Sequence, residues 1–441
     1  MKTRVVSLAS TWLLLVHAGV AAAQGQQPVP AGRSLDLASL QQAAIAADPR
    51  LEQLGLLDAQ SALRQRNISA ARLPSIGVDG QGQYQSDVPR PPFAFTAGRP
   101  LFSTPKATVD SGLRVEQPLF DATIDAQGAL EQASLAEQQA RVRTTLFALR
   151  QQVNDAFFAA AGFEGRRVAV SAAVADLSAR LNETNTRVRE GAALPADAAA
   201  IEAALLQRQQ EQEEMRVARR VALTRLAILT GQTIADGDTL ALPDVRAVVA
   251  RARQGQATVR ARPEYDLFAK TGDRLAQQRQ LTLAQERPRV STFAQVGYAR
   301  PGLNFVSDEF ETYGLGGVRV QWNAWTWGRG DRARAALEIQ RQIVAADEAA
   351  FAKGLDQAVD GDAATVDRLQ ATLAVDDRII ALREQVERST RVRFGEGVVT
   401  ASELVDRSTE LLQARSARAS HEVELAQAGA RLLTTLGLEV R

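Results

Sequence analysis

The chain has 441 residues, and its 52 basic and 51 acidic side chains give a net charge of +1. A chain so nearly neutral has no global field of the kind that nucleic-acid-binding proteins use, so we expect no nucleic acid partner. It contains no cysteine, which excludes disulfides, thiolate-bound metals and a lipid on an N-terminal cysteine. Its two histidines, His17 and His421, are too few for a multi-histidine metal site, and we predict no enzyme activity, cofactor or metal.

Residues 1–23 have the three parts of a secretory signal peptide. Lys2 and Arg4 supply positive charge, "TWLLLVHAGV" is an apolar run, and small residues precede Gln24. The alternative, an N-terminal anchor helix, is disfavoured because the run is much shorter than the ~20 residues that a membrane span needs. After Val20 no apolar run approaches that length. We therefore expect an exported protein that could cross a membrane only through β-strands.

The pattern of the first half of the mature chain predicts a helix, two strands and two long helices. A helix is predicted over about 35–71, ahead of the helix-breaking Pro74. Alternating strands follow at 76–85 and 108–117, where Val109, Ser111, Leu113 and Val115 share one face. An insert rich in proline and glycine, 87–106, separates them and suits an external loop. Apolar residues at steps of three and four then predict a helix over about 122–190, a turn at Gly191 and a returning helix over 196–230.

The second half repeats this plan. We predict a helix over 263–286, strands at 290–299 and 312–322, a long helix over 328–394, a turn at Gly397 and a returning helix over 401–436. A constant 214 residues separate Pro49 from Pro263 and Pro74 from Pro288, and 206 separate Gly191 from Gly397. Constant offsets indicate a tandem duplication. The predicted organisation is a first repeat at 24–232, a linker at 233–258 and a second repeat at 259–441.

Four strands of about ten residues are long enough to cross a bilayer but too few to close a barrel. Closed transmembrane barrels start at about eight strands, and lipid does not tolerate an open sheet edge. Several copies must therefore share one barrel. Three copies would give twelve strands, although strand geometry alone does not require three.

Three stretches of the chain resemble TolC-type outer-membrane efflux proteins. "SLDLASLQQAAIAADPRLEQLGLLDAQSALRQRNISAARLPSIG" is similar to the first helix and strand start of that family. "VEQPLFDATIDAQGALEQA" and "VQWNAWTWGRGDRARAALE" resemble its two "PLFDWGRR" strand-to-helix junctions, one in each half. The resemblance implies a mixed α and β homotrimer, with a 12-stranded barrel in outer-membrane lipid continued by an α-helical tunnel through the periplasm. It also implies a passive duct for a tripartite efflux or type I secretion system, which works with a periplasmic adaptor and an inner-membrane transporter.

Two other classes of function remain as alternatives. An exported coiled-coil scaffold of the cell envelope would explain the long helices but not the alternating strands. An enzyme would need a nucleophile–base constellation that the sequence does not offer. The sequence contains no substrate pocket motif, so it does not indicate the cargo.

All three tryptophans of the mature chain lie just before the second long helix. Trp322, Trp325 and Trp327 fall where a strand would leave lipid, and Phe120 is the only large aromatic residue at the matching place in the first half. Tryptophan favours the membrane–water interface, so an aromatic girdle is one interpretation. A hydrophobic plug packed inside the barrel–helix junction is the other.

The helix turns are the predicted functional ends of the tunnel. The resemblance implies that the tips dock on the adaptor, through Gly191, Leu194, Pro195, Gly397, Val399 and Thr400; ordinary turn chemistry would also explain the glycines. It further implies a gate of carboxylates behind them, Asp197, Glu403 and Asp406. Helix-start roles are the alternatives for two of these, since Thr400 and Glu403 fit a capping box and Asp197 lies in a first helical turn. Arg189 and Arg393 are candidate partners for these acids.

Overall fold

The computed structural model describes residues 32–88, 105–244, 249–250, 261–304 and 308–439. The predicted leader and most of the insert at 87–106 lie outside these ranges, as does much of the linker after residue 244. The described chain combines two long helical hairpins with one four-stranded sheet, so the predicted mixed α and β class is confirmed. No helix in these ranges has both the length and the apolarity needed to span a membrane.

The first half differs from its prediction at the start. The single helix expected over 35–71 is wrong, because the chain breaks at Asp48, whose ψ of 124° is extended, and Pro49 begins a new 3₁₀ turn. Proline biases its predecessor away from helical geometry, which explains the break. The elements are β1 Ser34–Asp36, α1 Leu37–Ala47, the 3₁₀ turn Pro49–Leu51, α2 Glu52–Ala70, β2 Ser75–Tyr84, β3 Ala107–Phe120, α3 Ala122–Arg189 and α4 Pro195–Thr230.

The second half follows its prediction to within a few residues at each boundary. Its elements are α5 Pro263–Gln285, β5 Arg289–Arg300, β6 Glu311–Gln321, α6 Arg329–Gly395 and α7 Ala401–Thr435. A short strand that was not predicted, β4 Thr239–Ala241, lies in the linker before them. Helix α3 has 68 residues and α6 has 67. At ~1.5 Å per residue, each is about 100 Å long.

The large sheet has the order β2-β3-β5-β6, with every neighbouring pair antiparallel. Both halves of the chain therefore contribute two strands to one sheet, and β3 and β5 join the halves at its centre. Strands β2 and β6 are its edges. Tyr313 packs directly over Gly297, where a Cβ atom would lie 2.5 Å from the ring, so a larger residue at that position would displace the tyrosine.

The long helices lie side by side in the order α4-α3-α7-α6. Helix α3 contacts α4 and α7, and α6 pairs with α7. Helix α2 packs on α3, and α5 packs between α3 and α6 on the part nearer the sheet. Within one chain, α4 and α6 therefore flank the helical layer, as β2 and β6 flank the sheet.

The largest core lies midway along the helices, around Phe157 and Phe158, whose ring centroids are 5.2 Å apart. Here β1 pairs in parallel with β4, so a strand of the predicted linker closes over the first helix. Asp238 fixes this pairing, because its carboxylate accepts from the backbone N–H groups of Ala235 and Arg33, both at 2.9 Å. Those two hydrogen bonds hold the pKa of Asp238 below its ordinary value.

Candidate functional site

The two hairpin tips have the same backbone geometry. Gly191 and Gly397 have φ of +74° and +73°, in the left-handed region where glycine is unstrained. The N–H of Ala192 donates to the Arg187 carbonyl at 2.7 Å, and the N–H of Val398 donates to the Arg393 carbonyl at 2.9 Å. Both turns are Schellman motifs. The geometry of the turns therefore explains by itself why glycine occupies positions 191 and 397.

The remaining predicted tip residues surround these turns. Leu194 is exposed, Pro195 is the first residue of α4, Val399 is half-buried, and Thr400 is the N-cap of α7. Arg187 joins the two tips, because its guanidinium lies 5.8 Å from the Phe394 ring and donates to the Gly395 carbonyl at 3.1 Å. The structure thus brings the predicted tip residues together at one end of the molecule.

Asp197 is bonded to both tips at once. Its carboxylate accepts from the Leu194 N–H at 3.3 Å, at the start of α4, and from the Ala401 N–H at 3.2 Å, at the start of α7. Amides in a first helical turn have no intrahelical acceptor, and the positive end of the helix dipole favours a carboxylate there. The bond to Ala401 crosses between hairpins, and sequence spacing gave no sign of it.

Glu403 and Asp406 lie on the following turns of α7. The N–H of Glu403 donates to the Thr400 hydroxyl at 3.3 Å, which is the N-cap half of the predicted capping box. A Glu403 carboxylate oxygen lies 3.8 Å from Arg393, a partner that the sequence predicted, whereas Arg189 donates to Asn185 and Thr186 on its own helix. Asp406 is exposed to solvent in the single chain.

A buried ion-pair network ties the hairpins together behind the tips. Arg180 of α3 donates to Glu387 of α6 at 2.7 Å, and their side chains are 10% and 5% exposed. Arg180 also bonds Asp176, and Arg391 bonds Glu387 at 2.8 Å. Burial lowers the pKa of Arg180, but the hydrogen bond to Asp176 and the two carboxylate charges outweigh it, so the pKa is raised overall. Sequence spacing gives no sign of this network, because its central bond joins residues 207 positions apart.

The two faces of the sheet differ in polarity. On the more buried face, Arg114 lies 3.4 Å from Asp79 and donates to Gln295 at 3.2 Å. Gln295 donates to the Tyr313 hydroxyl at 2.9 Å, and Tyr313 donates to Asp110 at 2.8 Å, so this polar belt crosses all four strands. The opposite face is apolar and exposed, with Ile76, Val78, Val109, Leu113, Val296, Val318 and Val320.

Aromatic residues mark both ends of the apolar face. At the helix end, Trp322, Trp325 and Trp327 are 60%, 75% and 79% exposed, and Phe120 is also exposed. At the loop end lie Tyr84, Tyr298 and Phe310, the last two stacked at 5.2 Å between centroids. Ten strand residues tilted by ~40° span about 26 Å, close to the ~25 Å apolar band of outer-membrane barrels.

No family model matches the chain, and its sequence matches no curated protein. Solved structures match it over most of its length. The outer membrane protein VceC from Vibrio cholerae is 17% identical, with a TM-score of 0.65 over 92% of this chain and 97% of that one. CusC, whose structures were described for transmembrane channel formation, is 14% identical, with a TM-score of 0.66 over 94% and 96%. The open-state MtrE outer membrane channel of Neisseria gonorrhoeae is 16% identical, with a TM-score of 0.62 over 92% and 89%.

The single chain has the TolC-type fold. The resemblance seen in the sequence is thus confirmed at the level of the fold. Among the described residues, no group of three or more His, Cys, Asp or Glu side chains is placed to hold a metal ion. The features of this fold that can carry a function are a sheet with one apolar and one polar face, paired helical tips and the carboxylates near them.

Proposed function

We propose that the protein is an outer-membrane duct of a tripartite efflux or type I secretion system. Three copies would form a 12-stranded barrel in the outer membrane, continued by a periplasmic tunnel of long helices. The observation that carries the proposal is the two-faced sheet, apolar and exposed on one side and polar on the other, with two unpaired edges.

The polarity of the sheet supports lipid on one side and water on the other. An exposed apolar face of seven large side chains is unfavourable in water and favourable in a bilayer. The belt of charged and amide groups on the opposite face needs water or further polar partners. Alternation of apolar-out and polar-in residues is the pattern of transmembrane barrels with an aqueous interior.

The edges of the chain support a ring of copies. Strands β2 and β6 each leave one row of backbone groups unpaired within the described chain, which lipid does not tolerate. The flanking helices also expose apolar side chains at helical spacing. On α6 these are Val375, Ile379, Leu382 and Val386, and on α4 they are Val217, Val221 and Ile228. We infer that β6 and α6 of one copy pack on β2 and α4 of the next, and three copies give a strand count within the closed-barrel range.

In this assembly, the helical tips would contact the adaptor and the nearby carboxylates would form the gate. The exposed apolar tip residues, Leu194 and Val398, would contact the adaptor, which in turn joins the duct to an inner-membrane transporter. Glu403, Asp406 and Asp197, from every copy, would face the axis at the periplasmic end and form the gate, and Asp197 would also hold the two tips together. The duct itself conducts passively and carries no catalytic step.

The test is assembly and conduction by the purified protein. In mild detergent, light scattering should give the mass of three chains, and the same sample should form ion-conducting pores in planar lipid bilayers. The protein should also fractionate with outer membranes. A monomer that fractionates with soluble periplasmic proteins would contradict the duct and support the coiled-coil scaffold instead.

A further inference from the structure

The strand-to-helix junction of the second half carries an exposed surface that we name the junction surface: Trp322, Trp325, Trp327, Arg329 and Arg332. Trp322 follows β6 at an even-numbered position, in the same outward row as Val318 and Val320. Its indole N–H donates to the Glu286 carbonyl at 3.0 Å, which fixes the ring at the end of the apolar face. Trp325 and Trp327 meet edge to face, with centroids 5.9 Å apart.

The backbone of Trp327 has a conformation that is unfavourable for tryptophan, and the side chain points to solvent. Trp327 has φ of +53° and Gly328 has φ of +70°, so two successive residues lie in the left-handed region. This region of φ is unfavourable for a residue with a bulky side chain. The Trp327 ring is 79% exposed, so packing within the chain does not offset that cost. A strained and exposed aromatic residue indicates a contact outside the chain.

Three arginines follow these rings in the sequence, and only one of them has a carboxylate partner among the described residues. Arg334 is satisfied by Glu286 at 2.6 Å and by Asp331. Arg329 and Arg332 are exposed, and within the described ranges neither has a carboxylate within 4.0 Å. A Cβ atom on Gly328 would lie 3.4 Å from Nη1 of Arg332, so that guanidinium lies over the turn that carries Trp327. Two unpaired cations thus lie next to the exposed indoles.

We propose that the junction surface binds the phosphate of phospholipid headgroups and prefers anionic phospholipid. Indole rings settle at the level of the headgroups, and guanidinium groups bind phosphate through two parallel hydrogen bonds. Each arginine near an anionic membrane surface contributes about fivefold to binding. The proposal rests on the proposed function, because the apolar sheet face must lie in lipid for the junction to meet the headgroups.

The tryptophans of the junction surface are themselves a fluorescent probe for this contact with lipid. After residue 23, every tryptophan belongs to the junction surface, so tryptophan fluorescence, excited at wavelengths that tyrosine does not absorb, reports on this surface alone. The mature trimer, without residues 1–23, would be placed in nanodiscs of phosphatidylcholine, or of an equimolar mixture with phosphatidylglycerol. Phospholipids brominated near the headgroup, supplied as one class or the other, quench tryptophans that they touch. The ratio of quenching by the two classes measures the preference for anionic lipid.

We expect strong quenching by brominated lipid and a clear excess from brominated phosphatidylglycerol. Arg329→Gln with Arg332→Gln should reduce that excess by at least about fivefold and leave quenching by phosphatidylcholine unchanged. The matched control, Arg341→Gln with Arg368→Gln, removes the same charge from exposed sites farther along α6 and should retain the excess. Trp327→Gly suits the positive φ, so it should keep the trimer intact while lowering the total quenching.

Three results would overturn the site. Quenching by aqueous iodide but not by brominated lipid would place the tryptophans in the periplasm or against a protein. Equal quenching by both lipid classes would contradict the preference for anionic phospholipid, and loss of the excess in the Arg341 and Arg368 control would make it a general charge effect. Light scattering and bilayer conductance on the same sample test the proposed duct separately. An intact, conducting trimer with no preference for anionic lipid would contradict the lipid site and leave the proposed duct standing.

Discussion

At the scale of single residues, Asp197 shows how a helix-start position can join two elements. The carboxylate accepts from amides at the starts of both α4 and α7, which belong to different hairpins. Neither amide has an acceptor within its own helix, and each helix dipole favours the negative charge. Leu194, at the N-cap of α4, has no side-chain oxygen, so Asp197 is the side chain that satisfies that turn. Its gate role stays a prediction, and these bonds give it a structural role as well.

Asp197→Ala should therefore loosen both helix starts. Each lost N-terminal hydrogen bond is worth about 1 kcal/mol, so amide hydrogen exchange should accelerate about fivefold or more near residues 194–201 and 400–405. Thr400→Ala is the matched control, because Thr400 caps α7 only. If Asp197→Ala accelerates exchange at the start of α4 alone, the Asp197 bridge to α7 is not formed in solution.

At the scale of elements, periodicity predicted the helices and strands well, since both repeats give long unbroken patterns. The predicted boundaries of α3, α4, α6 and α7 differ from the observed ones by a residue or so. The break at Asp48 was missed because the apolar pattern continues through it, although Asp-Pro was a usable signal. The Arg180–Glu387 bond joins residues 207 positions apart, and its members look in sequence like ordinary surface pairs spaced by four. Only the side-by-side packing of the hairpins reveals it.

Breaking the buried pair on one side should destabilise the contact between hairpins. Glu387→Leu leaves Arg180 with reduced charge compensation at a buried site, which costs about 3–5 kcal/mol. Replacing both, Arg180→Met with Glu387→Leu, should be nearly neutral, because Arg391 still lies 3.7 Å from Asp176. Hydrogen exchange of α3 and α6 near the tips measures both variants. Equal loss of protection in the single and double variants would contradict a desolvation cost.

At the scale of the whole molecule, the sequence predicted that several copies share one barrel. It did not predict how side chains on neighbouring strands line up. Alternation in β3 predicted two unlike faces, and the structure adds the polar belt from Asp79 to Tyr313 and a second aromatic group at the loop end. These arise from cross-strand register, which short alternating patterns do not specify. The consequence is an apolar band between two aromatic ends, on a sheet whose edge strands β2 and β6 have no outer neighbour among the described residues.

The two faces of β2 should respond differently to the same new charge. Val78→Lys puts an ammonium on the apolar face, where it costs about 2–4 kcal/mol near the bilayer midplane. Gln81→Lys, three residues along on the polar face, should be tolerated. The yield of heat-resistant trimer in outer membranes checks both. Equal yields for the two variants would mean that the apolar face does not lie in lipid.

The gate prediction depends on three copies meeting at an axis. If Glu403 and Asp406 face that axis, two carboxylates per copy crowd one constriction, and bound cations relieve their repulsion. Divalent ions added from the periplasmic side should then block current through the trimer in planar bilayers. Asp406 is exposed whereas Glu403 already lies 3.8 Å from Arg393, so Asp406→Asn alone should raise the half-blocking concentration by at least about tenfold.

Asp406→Ala together with Glu403→Ala should abolish the block while the trimer stays assembled. Thr400→Ala separates charge from helix capping, because it removes the Thr400 hydroxyl that accepts from the Glu403 N–H and keeps both carboxylates. It should retain the block, even though the start of α7 frays by about 1 kcal/mol. Full block in the double variant, or equal loss of block in Thr400→Ala, would mean that these acids stabilise a helix start and do not line the pore.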